Sequence, residues 1–373
     1  MSERENSGLA QAKHNKNDEF YTQFNDIQRE LNAYVEYDPD VFRGKTILCP
    51  CDDPEWSNFT LFFALNFNRY GLKKLISTSY ANIKKKFVYK PMQNLFDVET
   101  DSDQFDESKT NTRGRILTMD HLTFDDELGL TYDELRKNIE WEYLEGDGDF
   151  RSDEVKRLRD EADVIITNPP FSMFREFLAW ILDAQKQFLI IGNINCITYK
   201  EVFPLIKDNK IWLGHSIHSG DRVFNVPDDY PLEAANCGVD ENGRRFIRVK
   251  GVRWLTNLDH GRRHEPMMLM TMAQYIRHSK HKEIRGVGYR RYDNYDAIDV
   301  PFTDAIPIDS DGVMGVPITF LDKYCPEQFE ILGSSAQLAG SIVGGDGQIK
   351  ENSGRFYVDG KRLYDRIAIR RRR

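Results

Sequence analysis

Residues 163–171 read DVIITNPPF, an aliphatic run that ends on an amide, two prolines and an aromatic ring. Neither proline has a backbone N–H, so neither can extend a sheet ladder or a helix interior, and the loop they form is stiff. Asn168 carries a side-chain oxygen that accepts hydrogen bonds. The Pro169 carbonyl is a second acceptor, Pro170 holds the chain behind it, and Phe171 offers a flat apolar face. A planar base resting on Phe171 would present an exocyclic amine to both acceptors. With both amine hydrogens held, the nitrogen lone pair is steered out of conjugation and toward an electrophilic methyl group. Such a transfer depends on positioning and oriented dipoles, not on a general base or a metal. Read for backbone alone, the same residues are a proline turn that caps a strand.

That chemistry needs a rigid strand behind the loop, and the flanking pattern supplies several. Residues 45–51, 73–80, 163–167 and 187–194 are short apolar runs that predict buried strands. Between them, residues 56–71 carry Phe59, Phe62, Phe63 and Phe67 at helical spacing, with Gly71 as a stop. Residues 152–162 begin with Ser152 as N-cap and acids in the first turn, and residues 172–185 form an amphipathic helix. Stretches 114–124 and 141–150 read as further strands or turns, 244–258 as strands, and 265–276 as helix or buried segment. Strands alternating with helices predict an α/β fold with a mostly parallel twisted sheet, in which ligands bind beyond the C-terminal strand ends. The segments CDDPEWSN (51–58) and NPPF (168–171) both fall there.

Composition narrows the function classes. The 373 residues carry a formal net charge of −9, and no window is apolar enough for a membrane helix. The N-terminus has no apolar secretory core, and its first 17 residues read as disordered. Five cysteines are an odd number, and Cys49 and Cys51 in CPC lack zinc spacing. Free thiols in a reducing cytoplasm and no metal site are expected. Charge is uneven: residues 97–163 hold 22 acids against 9 bases, whereas residues 244–291 hold 13 bases against 3 acids. The last 13 residues add 7 bases and one acid. Such asymmetry suits a polyanion face, or a solvated surface with a basic tail.

TNPPF resembles the fourth motif of amino-methyltransferases, in the form typical of enzymes acting on adenine N6. More specifically, the chain resembles the EcoRI-type adenine-specific DNA methyltransferases, through NDEFYTQ (17–23), ILCPCDDPEWSNF (47–59), LEGDGDFRSDE (144–154), ADVIITNPPFSMFREF (162–177), GNINCITYKE (192–201) and RWLTNLDHGRR (253–263). The resemblance implies a Rossmann-like methyltransferase core using S-adenosylmethionine, with target recognition C-terminal to it. It implies core residues 18–264 after a disordered 1–17, and a DNA recognition region over 265–373, with the basic segment 244–291 straddling the boundary.

Residue by residue, Tyr21 and Thr22 match the motif that folds over the methionine part of the cofactor. Asp52, Asp53, Pro54, Ser57 and Asn58 occupy the first cofactor loop, where this chain departs from the wider pattern by lacking Gly-x-Gly. Asp149 and Phe150 match the carboxylate and ring that hold the cofactor adenine, with Asp147 a rival, and Asn168 borders the same cofactor. No acid follows the second strand to hold the ribose. Arg253, Arg262, Arg263, Arg290 and Arg291 are the implied DNA contacts. The expected activity is methylation of adenine N6 in double-stranded DNA, by base flipping and direct transfer, in a cytoplasmic monomer that has or lacks a separate partner nuclease. Cytosine-N4 methylation, glutamine methylation on a protein, and a catalytically dead DNA-binding relative are the alternatives.

Overall fold

The computed structural model describes residues 22–81, 106–121, 135, 139–218, 220–226, 236–241, 243–343, 349–350 and 354–372. Tyr21 lies outside them. The chain divides into two compact units. One takes the described residues up to Ile194 together with 214–258, and the other takes 195–213 and 259–372. The crossover 195–213, which the sequence reading assigned to the core, thus packs within the C-terminal unit.

In the first unit four strands run parallel: β1 (Thr46–Cys49), β2 (Lys74–Thr78), and two further strands, Val164–Thr167 and Gln187–Asn193. Between the second and third of these lie β3 (Arg115–Met119) and β4 (Glu142–Tyr143), so the latter two are β5 and β6. Strand order is β4-β3-β2-β1-β5-β6, and Val252–Thr256 then pairs antiparallel with β6. β2 to β3 and β3 to β4 are also antiparallel. The central strands are buried on both faces, which is why their sequences are continuous rather than alternating apolar runs. Helices α1 (Phe24–Tyr37), α2 (Asn58–Leu65), α3 (Asp153–Glu161) and α4 (Phe174–Asp183) belong to the same unit. Ser152 caps α3 as its sequence position predicts, accepting from the Val155 N–H, and Gly71 takes the left-handed conformation at φ 60°.

The sheet order reverses direction between β1 and β5: the chain passes from β1 outward to β2 and then returns to the far side of β1. A doubly wound sheet opens a crevice at that switch point, beyond the strand C-termini. The core beneath it is aromatic, with Phe59 edge-on to Trp254 at 6.0 Å and both buried. Glu30 of α1 is wholly buried, and its carboxylate accepts the His215 and Ser216 N–H groups at 2.7 Å each and the Tyr34 hydroxyl at 3.0 Å. This bonding ties α1, which begins two residues after Thr22, to the loop at 214–216.

The second unit holds a four-stranded sheet of Ile298–Asp299, Met314–Pro317, Arg366–Arg371 and Phe329–Ser334, in that order. Helix along 265–276 is realised only in part. It begins at Met272, where Thr271 and Gln274 form a reciprocal capping box. Residues 265–270 are not helical, because the Met267 backbone pairs in both directions with the Gln328 amide, at 2.8 and 2.9 Å.

Candidate active site at the strand ends

The ends of β1, β2 and β5 meet around one residue, Asp52. Asp52 is only 6% exposed. Its Oδ1 accepts from Ser57 Oγ at 2.7 Å and its Oδ2 from Thr167 Oγ1 at 2.5 Å. Its backbone N–H donates to the Thr78 carbonyl, and its carbonyl accepts from Ser77 Oγ at 2.7 Å. One residue therefore ties together β1, β2, β5 and the start of α2. Burial pushes the Asp52 carboxyl up to about 7, against the opposing pull of the Thr167 and Ser57 hydrogen bonds. Ser57 does double duty, accepting the Phe59 N–H at 3.0 Å as the cap of α2.

Asp53 is placed differently. Its Oδ1 accepts the Glu55 and Trp56 N–H groups at 2.9 and 3.2 Å, closing the turn that Pro54 favours. Its Oδ2 lies 3.6 Å from Arg115, a buried guanidinium that also meets Glu55 at 3.2 Å and lies over the Trp141 ring at 4.4 Å. Asn58 donates from Nδ2 to the Thr22 carbonyl at 2.6 Å. The Thr22 hydroxyl itself is buried and has no partner among the described residues. A buried hydroxyl without a partner is costly, and a polar ligand at this position would satisfy it.

The GDGDF segment docks on the end of β2. Ala81 N–H donates to the Asp147 carbonyl at 2.7 Å, and Gly148 sits at φ 81°. A Cβ on Gly148 would lie 2.1 Å from the Ser79 carbonyl oxygen, so only glycine fits. Asp149 accepts from Arg151 through both oxygens, at 2.9 Å on Oδ1 and 2.5 Å on Oδ2. Phe150 is buried edge-on to Phe177 at 5.1 Å and Trp180 at 5.7 Å. Gly148→Ala is expected to lower the melting temperature well beyond Gly44→Ala. Gly44 also has positive φ, but a Cβ there meets nothing within 4 Å. The Gly44 change should cost about 1 kcal/mol of backbone strain, the Gly148 change that amount plus the displacement of the loop. Equal melting shifts by calorimetry would show that the loop does not need the close approach.

The NPPF turn follows β5 directly. Asn168 is half-buried and Pro169 buried. The Pro170 carbonyl is occupied by the Met173 N–H at 3.0 Å, as a short 3-10 turn begins at Phe171. Among the described residues no group donates to the Pro169 carbonyl. Phe171 is half-buried, with its ring edge-on to that of Phe224, 6.3 Å between centroids. Phe224 comes from the strand Asp221–Asn225 and is itself buried.

The five arginines singled out from charge stand in unlike places. Arg253 is buried, with its guanidinium donating to the Val252 and His218 carbonyls. Arg263 is also buried, bound to Asp259 at 2.9 Å and Asn209 at 2.5 Å and lying over the Trp212 ring at 3.5 Å. Arg262 is half-buried, and Arg290 and Arg291 are exposed in ion pairs with Asp359 and Asp296. Thr167, Arg115 and Gly148 were not singled out from sequence. Only Gly148 left a signal there, as a glycine between two aspartates next to a motif residue. Among the described residues no helix is long and apolar enough to cross a membrane.

A doubly wound sheet with an acid loop and an Asn-Pro-Pro-Phe turn on either side of its switch point has the layout of a Rossmann-like methyltransferase. The chain belongs to the family described as adenine-specific methyltransferase EcoRI, whose model matches residues 8–372. It is 43% identical over 327 residues to the type II methyltransferase M.EcoRI of Escherichia coli, covering 88% of this chain and 89% of that one. It is 32% identical over 367 residues to the type II methyltransferase M.MpnI of Mycoplasma pneumoniae, covering 97% of each. No solved structure matches the chain significantly. The protein is an adenine-specific DNA methyltransferase and takes a methyl donor.

Proposed function

We propose that this enzyme transfers a methyl group from S-adenosylmethionine to N6 of an adenine flipped out of duplex DNA. The observation that carries the reading is the pair of acceptors at the end of β5. The Pro170 carbonyl accepts from Met173, and the two amine hydrogens would go to the Pro169 carbonyl and to Asn168 Oδ1, a buried oxygen. Phe171, braced by Phe224, supplies the apolar face for the base. S-adenosylmethionine, when bound, supplies the electrophilic methyl group. The residues on the opposite side of the switch point fit it. Asp52 has a carboxyl to set against a positive charge, Thr22 has a buried hydroxyl in want of a partner, and Asn58 and Asp149 stand at the same loops. Asn168 and Pro169 would orient the amine; the transfer would leave the demethylated thioether of the donor, and the proton surplus to the methylated amine would pass to solvent. Extrusion of the base costs a few kcal/mol, part of which stacking on an aromatic ring returns.

The test is the product. Duplex DNA methylated by the purified enzyme with isotope-labelled S-adenosylmethionine should yield labelled N6-methyladenine after digestion and mass spectrometry. Label in N4-methylcytosine, or in protein glutamine, would replace this reading with a neighbouring one. Sequencing of DNA from cells expressing the chain would report base and motif together.

A further inference from the structure

The C-terminal unit contains a short basic module whose charges are not consumed internally. Helix Met272–His278 carries Arg277 in its last turn, and the turn after it folds back so that the Gly286 N–H donates to the Ile276 carbonyl at 2.8 Å. That bond brings Arg277, the neighbour of Ile276, close to Arg285, the neighbour of Gly286. Ile284 and Arg285 both donate their N–H groups to the His281 carbonyl, which places Lys282 on the same turn. The inward side is apolar: Tyr275, Ile284 and Ala305 are buried together, with Tyr289 and Phe302 packed on them. Arg277, Lys282 and Arg285 are all exposed.

Their neighbours show why these three differ. Lys280 and His281 are both held by Asp304, at 2.7 Å each, and His281 stacks on Phe302 at 3.7 Å. Further along, Arg290 and Arg291 have their own aspartates. Arg277, Lys282 and Arg285 have no ion pair, side-chain hydrogen bond or ring contact among the described residues. Like charges gathered on adjoining turns repel each other; Glu283, on the same turn as Lys282 and Arg285, offsets one of the three, and the excess that is left suits an external polyanion.

We infer that Arg277, Lys282 and Arg285 form a phosphate-binding ridge that grips the backbone of the DNA substrate. The inference rests on the DNA methyltransferase reading and assigns its electrostatic contacts. The assigned cations differ from the five picked out by charge counting, two of which are buried in the fold. A backbone contact of this kind carries no sequence information, so the ridge strengthens binding to any duplex.

Binding of a short fluorescent duplex of mixed sequence, measured by anisotropy against salt concentration, tests this. Each phosphate contact contributes about 0.9 to the slope of log affinity against log salt. The triple variant Arg277→Gln/Lys282→Gln/Arg285→Gln should therefore lose about 2 to 3 from the magnitude of that slope. Between about 50 and about 200 mM salt the wild type should weaken roughly 40-fold more than the triple variant. The charge-preserving Arg277→Lys/Arg285→Lys variant should keep the wild-type slope. An unchanged slope in the triple variant, or a slope equally reduced in the charge-preserving one, overturns the ridge. A wild type with no salt-dependent affinity for duplex DNA would instead overturn the underlying reading.

Discussion

Asn168→Ala should lower the methylation rate about a thousandfold while leaving DNA affinity nearly intact. Removing one oriented group at a reacting centre commonly costs 10²–10³ in rate, and here the group lost is one of the two acceptors proposed to set the amine geometry. The loop should survive the change. Its stiffness comes from Pro169 and Pro170, its 3-10 turn from the Met173 N–H to the Pro170 carbonyl, and its anchorage from Thr167 on Asp52. None of these uses the Asn168 side chain. Asn168→Asp keeps an acceptor oxygen and should retain clearly more activity than the alanine variant. If alanine and aspartate are equally inactive, the side chain acts through shape or through a donated hydrogen bond. If the alanine variant turns over at the wild-type rate, the amine is positioned by other groups. Single-turnover rates at saturating DNA, with anisotropy for binding, separate these outcomes.

The parts of this site that were legible in sequence are those whose chemistry is local. The strand before the turn is a run of β-branched residues, the cap at Ser152 is a hydroxyl followed by acids, and the two prolines announce a stiff loop; each reads without knowledge of the rest of the chain. The parts that were not legible depend on what arrives from elsewhere. Asp52 and Asp53 are adjacent and alike in sequence, yet one is buried between Ser57 and Thr167 while the other closes a turn beside Arg115. Only the register of β1 against β5 decides which is which. The basic segment shows the same limit. A guanidinium counts as +1 whether it lies over the Trp212 ring, as that of Arg263 does, or in water. Met268, 98% accessible, falls in a run whose sequence reads as helical or buried, because the Gln328 amide that holds Met267 extended lies 61 residues away. Charge counting therefore located the basic region but not the residues within it that remain available.

Asp52→Asn should flatten two pH dependences at once. Burial places the Asp52 carboxyl at about 7 in the fold, against 3.8 for a free aspartate. The folded chain thus keeps a proton that the unfolded chain releases. The stability this contributes is present in full below about pH 4 and is lost as pH rises through about 7. The three-unit gap corresponds to at most about 4 kcal/mol. Wild-type melting temperature should accordingly fall between about pH 5 and about pH 8, and the asparagine variant should fall less. Cofactor binding runs the opposite way. S-adenosylmethionine carries positive charge at its sulfonium and ammonium groups, and a cation beside Asp52 favours the ionised carboxylate. Affinity for the proposed donor should therefore tighten as pH rises, with a proton released on binding near pH 6, where about nine in ten Asp52 carboxyls are protonated beforehand. Calorimetric titrations in two buffers of different ionisation enthalpy measure that proton directly. Asp52→Asn should bind more weakly at pH 8 and release none. A wild type that binds the donor at pH 6 without releasing a proton would mean that the positive charge is met by a carboxylate already ionised. Asp149, half-buried beside Arg151, would then be the residue to replace next.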